Sequence, residues 1–275
     1  MFEEPVEKWF RLEGKTAVVT GAVGILGKHF CRGLSSVGAD VAVIDLDEDS
    51  CQNFANELRQ EYGTNAMGVA CDVTSPGEVG KMVEEVVGTL GKINVLHNNA
   101  ASKSEDVVEF FASFEDYTFT QWRDIMNVNI DGMFLVAQAV GKQMLAQGKG
   151  GSIIQTASIY GVVAPDHRIY EGSEYMGVEI NTPAVYATSK AAVIGLTKYL
   201  ATYWAKENIR VNAITPGGVE SGQNEEFQSL YSSRVPMGRM GQPSEMVAAL
   251  LYLASDASSY VTGQNLIVDG GLTVW

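Results

Sequence analysis

Tyr186 and Lys190 stand four residues apart in YATSK. On a helix that spacing puts both side chains on one face, with β-carbons about 5 to 6 Å apart. A phenol and an ammonium held side by side can move a proton. A free phenol has a pKa of about 10, so holding it as phenolate near pH 7 costs roughly 4 kcal/mol. A lysine cation about 5 Å away, at an effective dielectric of about 20, offsets on the order of 3 kcal/mol of that. The pair therefore reads as a general base with its cationic partner. Val193 and Ile194 share the face of Lys190, which turns the lysine inward. Tyr170 and Tyr175, in the stretch just upstream, lack a lysine at helical spacing and sit among glycines and acids.

Something must position such a pair, and the rest of the chain reads as its scaffold. Short β-branched runs alternate with longer segments of helical period, the pattern of a parallel sheet covered on both faces. The runs begin at Lys15, Asp40, Ala66, Lys92, Ser152, Ile209 and Asn265. The expected fold is α/β, a Rossmann-type doubly wound, seven-stranded parallel sheet with helices on both faces. No repeat or linker divides the chain, so residues 1–275 read as one domain. Two segments exceed the alternation: an N-terminal extension, residues 1–12, and an insert, residues 165–183. A long helix is expected from near Thr120, with Asn129 on a stripe formed by Ile125, Met126 and Met133. An amide on an apolar stripe needs a buried partner.

The first strand runs into TGAVGILG, Thr20 to Gly27. Glycines at a strand-to-helix turn let the backbone approach a pyrophosphate, which then rests on free amides at the helix N-terminus. The second strand ends in Asp45, whose carboxylate suits the two hydroxyls of an adenosine ribose. Leu46 follows, and the DLDED run holds no cation for a 2′-phosphate. The cofactor expected is NAD.

Composition narrows the partners. A formal charge of −14 with no basic run repels phosphate backbones and anionic lipid, so neither nucleic acid nor membrane is expected. No apolar run reaches twenty residues, and the acidic first stretch does not read as a secretory signal. Three scattered cysteines, Cys31, Cys51 and Cys71, fit reduced thiols in a cytoplasmic protein.

With NNAA (Asn98 to Ala101), YATSK, TPGGVES (Thr215 to Ser221) and the ending YVTGQNLIVDGG, the chain from about Leu12 to Leu272 resembles the single-domain branch of the short-chain dehydrogenase/reductase family. The resemblance implies a catalytic set of Asn129, Ser158, Tyr186 and Lys190. Ser158 would hydrogen-bond the reacting oxygen, and Asn129 would hold a water that relays protons to Lys190. Cofactor contacts are then expected from Gly21, Val23, Gly24, Ile25, Leu26, Asp45, Leu46, Asp72, Val73, Asn99, Ala100, Tyr186, Lys190, Gly217, Val219 and Ser221. Substrate contacts are expected from Ser158, Tyr160, Arg168, Tyr170 and Tyr186, with no metal. Homotetramers or homodimers are common in the family.

The chain departs from the family pattern in three places. Gly24 precedes the usual position of the second glycine, where Ile25 stands. Ala101 and Ser221 replace a glycine and a threonine. Ser158 and Tyr186 are 28 residues apart, against about a dozen in typical members, so the insert is expected to form a flap beside the substrate. Its hydrogen-bonding groups and net charge of −3, from four acids and one arginine between Pro165 and Pro183, favour a sugar, polyol or related carbohydrate derivative. A reductase of another carbonyl class is the alternative within the family. A methyl transferase would not need the Tyr186 and Lys190 pair, and a non-catalytic dinucleotide sensor would not keep all four catalytic residues.

Overall fold

The computed structural model describes residues 5–102, 104 and 106–275; the first four residues of the N-terminal extension lie outside the described residues. In chain order the strands are β1 (Thr16–Thr20), β2 (Asp40–Asp45), β3 (Ala66–Ala70), β4 (Val95–Asn98), β5 (Gly151–Thr156), β6 (Glu174–Tyr175), β7 (Val178–Glu179), β8 (Ile209–Pro216) and β9 (Asn265–Val268). The helices are α1 (Ile25–Ser36), α2 (Glu48–Tyr62), α3 (Pro76–Leu90), α4 (Val107–Phe110), α5 (Phe119–Met126), α6 (Met133–Gln147), α7 (Ala184–Tyr203), α8 (Glu225–Ser233) and α9 (Pro243–Ala254).

Seven strands form one parallel sheet in the order β3-β2-β1-β4-β5-β8-β9. Successive side chains of a strand face opposite ways. Val18 accordingly joins a core with residues of α3 and α6, while Ala17 and Val19 join another with residues of α1, α2 and α9. Both faces being covered, β1 is buried at every position, which is why its centre, Ala17–Val19, is apolar without alternation. The order reverses between β1 and β4. In doubly wound sheets, ligands settle in the crevice at the strands' C-terminal ends where such a reversal occurs.

The expected start of α3 is present: Ser75 Oγ accepts the Glu78 N–H, with Pro76 at the first helical position. The expected continuous helix after Thr120 is interrupted. Between α5 and α6 the backbone makes a π-helical turn over Asn127–Gly132. A π turn widens the helix by a residue and is common at functional sites. Gly132 lets this turn approach Val73 closely, since a β-carbon there would lie 2.8 Å from Val73 Cγ2.

In the N-terminal extension, the 3-10 turn Val6–Phe10 lies against the turn Asp256–Ser258 of the same chain. The insert contains a 3-10 turn, His167–Tyr170, and a small antiparallel hairpin, β6 with β7. The hairpin reverses at Met176 and Gly177, both with positive φ, the backbone of a two-residue turn that matches strand twist.

Candidate active site

At the β1–α1 turn, Gly21 takes a φ of +63°. A β-carbon there would come 2.9 Å from Ala100 Cα, and one on Gly27 would come 2.1 Å from the Gly21 carbonyl oxygen. Both glycines are needed for close backbone approach. Gly24 caps α1 without a side chain, so the first N–H groups of the helix face outward with no intrahelical partner. The Thr20 hydroxyl accepts the N–H groups of Asn99 and Ala100. Asn99 Nδ2 in turn donates to the carbonyls of Thr20 and Gly21, tying β4 to the turn across the reversal point.

Of the acids after β2, Asp47 caps α2 through the Ser50 N–H, which leaves Asp45 free of capping. Asp45 Oδ2 accepts the Val23 N–H at 3.0 Å and Oδ1 accepts the Leu46 N–H at 2.9 Å. This fixes the carboxylate at the rim of the glycine turn with lone pairs to spare. Leu46 beside it is 71% exposed. Asp72 Oδ1 accepts from the Thr74 N–H and hydroxyl, and the Val73 side chain is buried against Gly132.

On the catalytic side, β5 brings Ser158 and α7 brings Tyr186 and Lys190 into one cleft of about 680 Å³. The cleft begins at Gly24, Ile25 and Leu26, passes Asn99 and reaches Gly217, Val219 and Ser221. Ser158 is buried and its Oγ accepts the Tyr160 N–H at 3.3 Å. It caps a turn and still meets Tyr186. Burial raises the Tyr186 phenol above its ordinary pKa of 10, its hydrogen bond with Ser158 lowers it, and the nearby Tyr170 raises it. Lys190 Nζ lies 5.8 Å from the Tyr186 ring centroid and donates to the Thr156 carbonyl at 2.9 Å. Asn129 is fully buried; its Oδ1 accepts the Ser102 N–H at 2.8 Å, and its Nδ2 donates to Ser189 Oγ on α7 at 3.3 Å. Asn127 is exposed. The π turn thus ties the β4 loop to the helix carrying the pair.

Burial drives the Lys190 ammonium down from 10.5 to about 8. Because the folded value lies below the unfolded one, the folded state disfavours the proton. Stability is lowest below pH 8 and rises as the pH climbs from about 8 to 10.5. At pH 7 the buried charge costs about 3 kcal/mol. Lys190→Met removes it but orphans the Thr156 carbonyl, a loss of about 1 kcal/mol. The variant is expected to be inactive yet about 2 kcal/mol more stable in urea unfolding at pH 7, a gain that fades towards pH 10.5. An unchanged or reduced stability at pH 7 would refute the buried-charge account.

On the substrate side, Tyr160, Tyr170 and Thr182 line the cleft together with Phe110, Gln223 and Tyr231. Tyr231 accepts the Gly218 N–H through its hydroxyl, fastening α8 to the loop after β8. Arg168, expected as a substrate contact, lies outside this lining: 78% of its side chain is exposed and both its Nε and Nη2 bind Asp166. The turn His167–Tyr170 points Tyr170 inward and Arg168 outward. Tyr175, on the hairpin, is 57% exposed. Sequence reasoning did not single out Thr156, Thr182, Gln223 or Tyr231, because nothing local marks a residue whose role comes from a distant neighbour. No cluster of potential metal ligands occurs among the described residues.

A dinucleotide turn, a phenol and ammonium pair and a serine on one continuous cleft define a nicotinamide-dependent oxidoreductase. The family model described as enoyl-(acyl carrier protein) reductase matches residues 21–273. The chain is 35% identical over 269 residues to the 2-dehydro-3-deoxy-D-gluconate 5-dehydrogenase of Escherichia coli, covering 95% of this chain and 96% of that protein. It is 36% identical over 273 residues to the galactitol 2-dehydrogenase of Cereibacter sphaeroides, covering 97% and 98%. A solved short-chain type dehydrogenase/reductase from Mycobacterium marinum superposes with a TM-score of 0.86 at 36% identity, covering 99% of this chain and 100% of that one. The chain belongs to the short-chain dehydrogenase/reductase family. Solved relatives include complexes with NADP and with NAD⁺, so membership brings a nicotinamide dinucleotide and leaves the choice between them to this chain's own residues.

Proposed function

We propose that the chain is an NAD-dependent dehydrogenase/reductase that moves a hydride between the nicotinamide and a secondary alcohol or ketone of a sugar, polyol or related carbohydrate derivative. The observation that carries it is the single cleft joining the glycine turn to Ser158, Tyr186 and Lys190. Carbohydrate-directed relatives, among them dehydrogenases of galactitol and D-threitol, support the substrate class. NAD, rather than NADP, follows from Asp45 and the exposed Leu46: a 2′-phosphate there would meet a carboxylate and no cation.

The residues fit the dinucleotide. Gly21, Val23, Gly24, Ile25 and Leu26 would hold its pyrophosphate, Asp45 the adenosine ribose, and Gly217, Val219 and Ser221 its nicotinamide end, with Asp72, Val73, Leu46, Asn99 and Ala100 around it. When bound, it accepts or returns the hydride. Tyr186 takes the hydroxyl proton in oxidation and gives it back in reduction. Ser158 steadies the oxygen, and Lys190 holds the ribose and favours the phenolate. Asn129 completes the proton path behind Lys190. Assembly as a homodimer or homotetramer and a cytoplasmic place accompany this reading; no helix among the described residues is long and apolar enough to cross a membrane. Tyr199 and Tyr203, stacked on the open face of α7 and 63% and 65% exposed, suit a contact between copies.

The test is NAD⁺ reduction by purified protein against a panel of polyols, sugars, sugar acids, 3-hydroxyacyl thioesters and steroid alcohols. Turnover is expected within the first three classes. Preference for a thioester or steroid would replace the carbohydrate reading.

A further inference from the structure

We infer that the cleft selects a neutral substrate with a hydroxyl beside the reacting carbon, and that Tyr170 and Thr182, both contributed by the insert, read that hydroxyl. The inference rests on the carbohydrate reading above and divides that class, which includes neutral polyols and sugar carboxylates alike.

Charge decides against the carboxylates. Among the described residues lining the cleft, Lys190 is the one charged side chain, and its ammonium is already held by the Thr156 carbonyl. The insert's arginine is turned outward onto Asp166, and Arg234, just after α8, pairs with the same carboxylate. In the reading above Lys190 is taken up by the ribose and Tyr186, so a sugar acid would find no further cation in this cleft for its charge, which is costly. A neutral polyol meets no such barrier.

The hydrogen-bonding pattern points to a hydroxyl. Tyr160 and Tyr170 bond through their hydroxyls at 2.9 Å, and the Tyr170 hydroxyl bonds in turn to Thr182 Oγ1. Three hydroxyls carry three protons but make two bonds, so one proton is left free to donate, at an end of the row or on Tyr170. If all three reverse together, donor and acceptor ends exchange. Such a row suits a C–OH group, which both donates and accepts, whereas a carboxylate can only accept.

The row is held in place and close to the chemistry. The Tyr170 ring stacks on Phe227 with centroids 5.5 Å apart, and the neighbouring Ile169 is buried. A polar group fixed by packing loses little freedom on binding. Tyr160, Tyr170 and Thr182 line the same cleft as Ser158 and Tyr186, which puts the row within reach of a hydroxyl beside the reacting carbon. Tyr170 and Thr182 sit between Ser158 and Tyr186, in the added length that sets this chain apart from typical family members.

The experiment is steady-state kinetics of the wild type, Tyr170→Phe and Thr182→Val with NAD⁺ on glycerol, D-threitol, xylitol, galactitol, D-gluconate and 2-butanol. For the wild type, kcat/KM for the best of the four polyols is expected to exceed that for gluconate by about a hundredfold or more. Each substitution should raise KM for that polyol roughly tenfold with a smaller change in kcat, while 2-butanol, which has no neighbouring hydroxyl, changes by less than about twofold. Gluconate preferred over all four polyols would overturn the inference and leave the carbohydrate reading standing. So would equal losses on 2-butanol and polyol in both variants, since that marks a structural role. Turnover of 2-butanol alone would remove the inference together with the carbohydrate reading.

Discussion

Tyr186→Phe is expected to lose about 10² to 10⁴-fold in kcat while binding NAD as the parent does. The substitution removes one oxygen and its proton and leaves the ring. General acid/base loss falls in that range, and the glycine turn, Asp45 and Lys190 remain to hold the dinucleotide. Turnover measured beside a fluorescence titration with NADH separates the two effects. Tyr175→Phe provides the control, because Tyr175 stands exposed on the hairpin and should be indifferent. A mild Tyr186→Phe beside a crippled Tyr175→Phe would show that the base has been misplaced. The pH profile adds a second readout. Burial raises the Tyr186 pKa in the free protein, so kcat/KM for oxidation should climb with pH as the phenol ionises.

The wild type should favour NAD over NADP by more than about a hundredfold in kcat/KM, since a phosphate beside Asp45 meets like charge at short range. Asp45→Asn combined with Leu46→Arg should shift the preference towards NADP. Asparagine is the better replacement than alanine, because its amide oxygen can still accept the Val23 N–H that Asp45 Oδ2 accepts at 3.0 Å. The glycine turn then keeps its tie while the charge changes. Equal efficiency of the wild type with the two dinucleotides would remove Asp45 as the selector.

Most of the scaffold was legible because it depends on local pattern. The strand centres are apolar at consecutive positions, as in Ala17–Val19, Val41–Ile44 and Ile153–Ile154, the mark of a sheet covered on both faces, and all seven appear where expected; the ladder of the fourth begins at Val95. Gly21 and Gly27 stand out because no other residue fits their contacts. Tyr186 and Lys190 declare themselves through a helical spacing that no long-range contact is needed to create.

What local pattern could not supply was the choice among residues of the same type. The end of the second strand singled out Asp45 in DLDED, but only the tertiary structure shows its carboxylate held to the Val23 N–H of the glycine turn, while Asp47 caps α2. Helical periodicity predicted an unbroken helix around Asn129, whereas bonds from Ser102 on the β4 loop and to Ser189 on α7 accompany a π turn there. In the insert, polarity made Arg168 and Tyr170 equally attractive. A 3-10 turn packed on α8 sends one to solvent and the other to the cleft. Chain composition determined which groups this protein owns and, where their spacing matches a helix or a turn, which of them act together. Which of the remaining polar groups face the substrate was decided by contacts between segments far apart in sequence, because a side chain's direction there depends on what the opposing element buries.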